Sequence, residues 1–210
     1  YVLLTGLHAY KIKKAIRLGF LDFTTLSARR HYCEEELRLN RRLAPELYLD
    51  VVPITGSIEA PGIGGTAPIL DYAVKMREFP QDALASRILA RHELSPADID
   101  ALAARVAAFH DASGVAPRDG MLGSPDEILR VARQNFAQIR PHLTTAEECD
   151  GLEELRAWTE REHAARRDAF LRRRRGGFIR ECHGDLHLNN IARLDGELII
   201  FDCIEFSEPM

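Results

Sequence analysis

Apolar and polar positions divide this chain into three stretches. The first eighty residues carry a strand pattern with one helix among the strands. Tyr1-Val2-Leu3-Leu4 and Ala9-Tyr10-Lys11-Ile12-Lys13 are short strand-like runs flanking Thr5-Gly6, a hairpin turn. From about Leu26 to Leu43 the period becomes helical. Leu26, Cys33, Leu37, Asn40 and Leu43 approximate one stripe, with Thr24, Thr25 or Ser27 as the cap and Pro45 as the stop. Two further strands, 48–54 and 69–76, are separated by the turn-rich Pro61-Gly62-Ile63-Gly64-Gly65. These elements predict a small mixed sheet with one helix.

After Pro80 the pattern is mostly helical. Ser95-Pro96-Ala97-Asp98 supplies a cap, a proline at the first helical position and an acid three residues on. The helix it opens carries Ile99, Leu102, Ala103, Val106 and Phe109 on one face. Ser124-Pro125-Asp126-Glu127 repeats the device before a helix to Ile139, and Thr145-Ala146-Glu147-Glu148 before a long helix to about Arg172. Strands return at 178–182, 191–194 and 197–201. The last two are joined by Asp195-Gly196, the strongest short-range hairpin signal.

Composition narrows the function classes. The 210 residues suit one to two domains. Lys and Arg number 28 against 32 Asp and Glu, so the basic surplus of a dedicated nucleic-acid binder is missing. Apolar runs such as Leu198-Ile199-Ile200-Phe201 fall far short of the roughly 18 residues of a membrane-spanning helix. Cys33, Cys149, Cys182 and Cys203 stand singly, which argues against a zinc site or a disulfide framework and for a reducing cytoplasm. A start at Tyr1 and a stop at Met210, close behind an apolar strand, read as cuts through a longer protein.

Several tempting features have plain readings. Gly62-Ile63-Gly64-Gly65 joins two strands rather than opening a helix, so it reads as a turn and not as a nucleotide loop. Arg172-Arg173-Arg174-Arg175 at a helix end reads as a solvated face that complements the helix dipole. His110 reads as a packing residue beside an apolar face.

The densest cluster of reactive side chains is His183-Gly184-Asp185-Leu186-His187-Leu188-Asn189-Asn190, between a strand and the Asp-Gly hairpin. Two-residue turn geometry pairs Leu194 with Glu197, hence Asn190 with Phe201, and brings Asp202 beside Asn190 at the hairpin's open end. An ideal ladder points those two side chains to opposite faces, so the chain must leave the ladder for both to meet one ligand. Two carboxylates and an amide are hard oxygen donors, better suited to Mg²⁺ than to zinc. Metal-dependent hydrolysis is disfavoured, because no further Asp-x-His or Gly-Asn-His block accompanies Gly184-Asp185-Leu186-His187.

The order His183-Gly184-Asp185, four residues, Asn190, then an apolar strand ending in Asp202, resembles the catalytic segment of the aminoglycoside phosphotransferase family of protein-kinase-like enzymes. Other segments follow in that family's order. Ala9-Tyr10-Lys11 resembles the strand whose lysine holds the α- and β-phosphates, with Lys13 on the same face as the alternative. Glu36 matches the helix glutamate that pairs with this lysine. Met76, Arg77, Glu78 and Phe79 sit where a hinge holds adenine through backbone groups. Residues 102–110 resemble the helix beneath the catalytic loop. The whole chain is most similar to the N-terminal phosphotransferase-like domain of bacterial two-domain proteins in which a P-loop ATPase domain follows.

The resemblance implies an α+β, protein-kinase-like two-lobe fold. Residues 1–80 would form a truncated mixed-sheet N-lobe that binds nucleotide. Residues 81–210 would form a mainly helical C-lobe with the catalytic loop and the metal-binding hairpin. It further implies a cytoplasmic, ATP- and Mg²⁺-dependent kinase acting on a hydroxyl of a small molecule, with neither nucleic acid nor membrane as partner. Asp185 would orient and deprotonate the acceptor, Asn190 and Asp202 would hold Mg²⁺, Lys11 steered by Glu36 would offset phosphate charge, and His183 would brace the loop.

Two departures stand out. Of the glycine-rich strand-turn-strand over the phosphates, at best the last strand, 1–4, is present, and the acceptor-binding helices fall beyond Met210. The chain also holds no Gly-x-x-x-x-Gly-Lys-Ser/Thr, so the P-loop ATPase would be a separate, covalently linked C-terminal domain. The alternative expectation is a non-catalytic nucleotide-binding module that regulates that ATPase, a role in which Asp185 has no task.

Overall fold

The computed structural model describes residues 1–18 and 21–206, so that Ser207–Met210 lies outside them. The protein is α+β and divides into two compact units. One comprises Tyr1–Ala112 together with residues 182–206, the other Ser113–Glu181.

In the first unit the chain runs β1 (Val2–Leu4), β2 (His8–Ile12), β3 (Arg17–Leu18), β4 (Leu21–Asp22), α1 (Leu26–Asn40), β5 (Tyr48–Gly56), β6 (Pro61–Ile63), β7 (Ile69–Arg77), α2 (Ala85–Ala90) and α3 (Pro96–Ala112). It ends in β8 (Ile191–Leu194) and β9 (Glu197–Ile200). The main sheet has the order β1-β2-β7-β5-β6, and all its pairings are antiparallel, which corrects the mixed sheet expected from sequence. The reason lies in β7. It inserts between β2 and β5, the two strands connected through α1, and pairs with both in the opposite direction. The glycine-rich stretch after residue 60, expected only as a turn, contributes β6 by pairing with the end of β5. The antiparallel β3–β4 pair and α2 escaped the sequence pattern, because two-residue strands and a six-residue helix carry almost no period.

Helix α1 is capped by Thr25, whose hydroxyl accepts the Ala28 N–H at 3.1 Å. Buried Arg29 fastens its first turns to the sheet by donating to Asp71 of β7 at 2.8 Å and to the carbonyls of Phe23 and Thr24. The helix ends at Asn40, short of Leu43, where a tighter turn takes over with Leu43 N–H bonded to the Asn40 carbonyl. One buried cluster joins Cys33 of α1 to Leu47, Tyr48, Val74 and Met76. A second joins Leu39 and Leu43 to Ile191, Leu198, Ile200 and Cys203, with Leu102, Val106 and Phe109 of α3 against it. Ile99, expected on that same face, is exposed. The β8–β9 hairpin has the anticipated register, Leu194 opposite Glu197, and closes through Asp195 (φ 51°) and Gly196 (φ 89°). Positive φ at both turn residues is what Asp-Gly accommodates.

The second unit holds α4 (Pro125–Ile139), α5 (Ala146–Ala165) and α6 (Arg167–Arg175). Ser124 caps α4, and Thr145 with Glu148 forms a reciprocal capping box on α5. The single helix expected to run to about Arg172 instead breaks at Arg166. No glycine or proline marks the break. His163 bonds the Pro125 carbonyl at 2.7 Å just before it, and its ring stacks on Phe170 just after it. The stretch 178–182, expected as a strand, is not one. Only a bridge between Val115 and Arg180 forms, with no ladder to extend it. Among the described residues no helix is long and apolar enough to cross a membrane.

Candidate functional site

Strand β2 and the residue after it place Lys11 and Lys13 on one face, two positions apart, and α1 presents Glu36 to both. The two lysines, alternatives on sequence grounds, share that carboxylate. Lys11 Nζ lies 2.9 Å from Oε1 and Lys13 Nζ 2.8 Å from Oε2. Each lysine also reaches a second carboxylate just past β9. Lys11 lies 2.5 Å from Asp202, and Lys13 pairs with Glu205. Two ammonium groups and three carboxylates thus form one chain of alternating charge, Asp202–Lys11–Glu36–Lys13–Glu205.

Burial acts against the charges of Lys11, Lys13, Glu36 and Glu205, and the neighbours decide the outcome. Burial pulls Lys11 down, but Glu36 and then Asp202 outweigh it and hold the ammonium well above the ordinary lysine range. Lys13 is likewise raised by Glu36 and Glu205 against its burial. For Glu36, burial pushes the carboxyl up and the two ammoniums more than reverse it, leaving it lowered. Glu205 faces one ammonium and has Glu36 nearby, so burial prevails and it is raised.

The loop before β8 is fixed by its own side chains. His183, only 3% exposed, has Nε2 2.8 Å from the Phe201 carbonyl, and its Nδ1 accepts the Asp185 N–H at 3.2 Å. Its ring therefore spans from the loop to the end of β9. Burial, the largest influence, lowers its pKa despite the Phe201 carbonyl. Asn190 donates through Nδ2 to the Asp185 carbonyl at 2.9 Å and reaches the Asp185 carboxylate at 3.3 Å. His187 Nε2 lies 3.4 Å from that carboxylate on the open side. Phe201 N–H still bonds the Asn190 carbonyl, and the next residue, Asp202, turns left-handed at φ 64°. The chain leaves the ladder at the position where the sequence argument required it.

The four residues expected as a hinge line an apolar cleft of about 170 Å³, together with Val2, Leu4, Ala9, Tyr48, Phe201, Lys11 and Asp202. Their polar groups are partly committed. Arg77 N–H bonds the Leu47 carbonyl and Glu78 N–H the Leu7 carbonyl. The Glu78 carboxylate accepts from the Thr5 and Gly6 amides, and the Arg77 guanidinium donates to Asp195. A second cavity of about 330 Å³ shares Val2, Lys11 and Asp202 and is lined further by Lys13, Asp185, Glu205, Leu21 and Phe23. The Lys11–Asp202 pair belongs to the walls of both.

Three residues of this arrangement escaped sequence reasoning as site residues. Tyr48, fully buried, accepts the Asp202 N–H through its hydroxyl at 3.2 Å. Asn40, one of the α1 stripe, accepts the Cys203 N–H at 2.9 Å and donates to the Glu36 carbonyl. Glu205 had one available signal: a second lysine on the Lys11 face needs a second acid.

Among the described residues no three His, Cys, Asp or Glu side chains gather as a metal cluster. A Mg²⁺ ion carried in with a nucleotide does not need one, since it keeps several waters and phosphate oxygens and takes one or two protein oxygens. The Asp202 carboxylate and the Asn190 amide oxygen, whose NH₂ is turned toward Asp185, fit that demand.

Comparison with known proteins finds relatives in mycobacteria. The chain is 30% identical over 212 residues to the uncharacterized protein Rv2004c of Mycobacterium tuberculosis strain H37Rv. It matches the uncharacterized proteins MT2060 of M. tuberculosis strain CDC 1551 and Mb2027c of M. bovis to the same extent. Each alignment covers 100% of this chain and 40% of the relative, so the chain spans well under half the length of the curated relatives it matches. No protein-family model matches the chain, and no solved structure does.

Proposed function

We propose that this chain is the nucleotide-binding and catalytic-loop part of a cytoplasmic ATP- and Mg²⁺-dependent phosphotransferase. It would have the two-lobe arrangement of the kinase-like enzymes and resemble the aminoglycoside phosphotransferases. The acceptor is a hydroxyl of a small molecule, and in the longer protein a P-loop ATPase domain is the expected covalent partner. One observation carries the reading: Lys11 of β2 pairs at once with Glu36 of α1 and with Asp202, beside a loop that holds Asp185 and Asn190.

The chemistry asks these residues mainly for position and charge. The acceptor oxygen attacks the γ-phosphorus, the bond from that phosphorus to the β–γ bridging oxygen breaks, and ADP leaves with the electron pair. The hydroxyl proton passes to the Asp185 carboxylate and then to water. Lys11, kept protonated by Glu36 and Asp202, offsets phosphate charge. The apolar cleft beside Met76 and Phe79 takes the adenine ring. Asn190 and Asp202 would hold Mg²⁺, which would supply positive charge to the phosphate oxygens.

Calorimetry with ATP and Mg²⁺ tests this reading, comparing the wild-type chain with Asp202→Ala. Saturable, Mg²⁺-dependent binding that weakens in the variant is the expected result, and no binding by the wild-type chain overturns it. Asp185→Ala should keep nucleotide binding and lose transfer. Binding without transfer to any hydroxyl compound would instead make the chain a nucleotide-binding regulatory module.

A further inference from the structure

We propose that Lys13 and Glu205 are positioning residues, a buried latch that holds the Asp202–Glu205 turn under β2 while the more exposed Lys11–Asp202 pair opens for a ligand. This rests on the phosphotransferase reading of Lys11 and Asp202.

The two ion pairs are alike in chemistry and opposite in burial. The Lys13 and Glu205 side chains are 4% and 8% exposed, against 30% and 39% for Lys11 and Asp202. A pair partly open to solvent is screened more than a buried one, so a polyphosphate can compete for Lys11 more readily than for Lys13. A buried pair resists opening, because separation would leave a charge uncompensated in a poorly solvated place. Lys13, though it lines the same cavity, is therefore held more firmly than Lys11 and is the less available of the two to a phosphate. Its ammonium lies 5.1 Å from the centre of the Phe23 ring, which covers it further.

Glu36 makes the division of labour workable. Its two oxygens are split between the lysines, so when Lys11 turns to a ligand the fully buried carboxylate still keeps Lys13. The turn itself needs holding. Asp202 is a non-glycine residue at φ 64°, a conformation that persists only when its surroundings enforce it. Tyr48 takes the Asp202 amide, Asn40 the Cys203 amide and the His183 carbonyl the Ile204 amide, and Glu205 closes the turn at its far end. With that end pinned, the Asp202 carboxylate can release Lys11 without losing its place.

The test compares wild type with Glu205→Gln by residue-resolved hydrogen exchange and by calorimetric titration of MgCl₂ at fixed ATP. The latch predicts that the Cys203 and Ile204 amides exchange about tenfold faster in the variant while β5 and β7 keep their rates. It also predicts that the Mg²⁺ concentration for half-maximal ATP binding rises about tenfold. Unchanged exchange at 203–204, an even rise throughout the unit, or a local rise with an unaltered Mg²⁺ requirement would each overturn the proposal. If the wild-type chain binds no ATP, the phosphotransferase reading fails, and the exchange pattern alone decides the latch. Should Glu205→Gln not fold, Glu205→Asp, which keeps the charge on a shorter stem, carries the same two measurements.

Discussion

The Lys11 ammonium lies 2.5 Å from the carboxylate of Asp202, a residue 191 positions further along the chain. Glu36 lies 2.9 Å from that ammonium, so Lys11 joins the sheet, the helix and the hairpin end. Lys11→Met removes the cation expected to face phosphate, yet leaves Glu36 its second partner in Lys13. Mg²⁺-ATP binding should weaken by about tenfold or more, consistent with loss of a charge-assisted contact of at least ~1.4 kcal/mol. The far-ultraviolet circular dichroism should stay that of the wild type. Calorimetry that finds equal affinity would remove Lys11 from the nucleotide site.

Glu36→Gln tests the same cluster for stability. The side chain is fully buried and is the common partner of two lysines, one of them also buried. Neutralising it leaves the ammoniums facing each other across an amide. Breaking a buried ion pair from one side costs about 3–5 kcal/mol, and a loss of that order is expected in urea unfolding. A loss below about 1 kcal/mol would mean that Asp202 and Glu205 suffice for the two cations.

These relationships were unevenly legible in the sequence. The Asp195-Gly196 turn and the caps at Ser95, Ser124 and Thr145 could be read because backbone groups within four residues decide them. Asp185, Asn190 and Asp202 could be grouped because a hairpin of known turn type carries one end to the other. Tyr48 and Asn40 could not, and Glu205 only as an unspecified second acid for Lys13, since their roles arise only when α1, β5 and the 202–205 turn meet. The break at Arg166 was hidden for the same reason, as His163 and Phe170 act there through tertiary contact. The antiparallel sheet depended on β7 inserting between β2 and β5, which no local pattern records.

His183 gives the site a pH dependence of definite sign. Burial lowers its pKa in the folded protein, more than the Phe201 carbonyl, Asp202 and Asp185 raise it, while Arg42 adds to the lowering. The unfolded chain, with an ordinary histidine pKa of about 6.5, therefore takes up its proton first as pH falls. More protons on the unfolded state means that stability rises with pH in this window. This contribution is intact above about pH 6.5 and is lost as pH falls toward the lowered folded value. Urea midpoints at pH 7.5 and 5.5 should differ more for the wild type than for His183→Gln. Equal differences in the two proteins would place the acid sensitivity elsewhere.

Gly184 separates backbone strain from crowding in the loop that carries Asp185. Its φ of 83° lies in the left-handed region, and an added Cβ would stand 3.2 Å from Cβ of Ile204. Ile204 has little freedom to retreat, because its N–H is bonded to the His183 carbonyl. Gly6 provides the control, with φ 85° and nothing within 4 Å of an added Cβ. Gly6→Ala should lose about 1 kcal/mol from conformation alone. Gly184→Ala should lose about 1–3 kcal/mol more, the usual range for overpacking, and should displace Asp185 from its bonds to His183 and Asn190. Thermal unfolding of both variants measures the difference directly. Equal losses at the two glycines would show that the Ile204 contact imposes no constraint, and that the loop holds Asp185 through its hydrogen bonds alone.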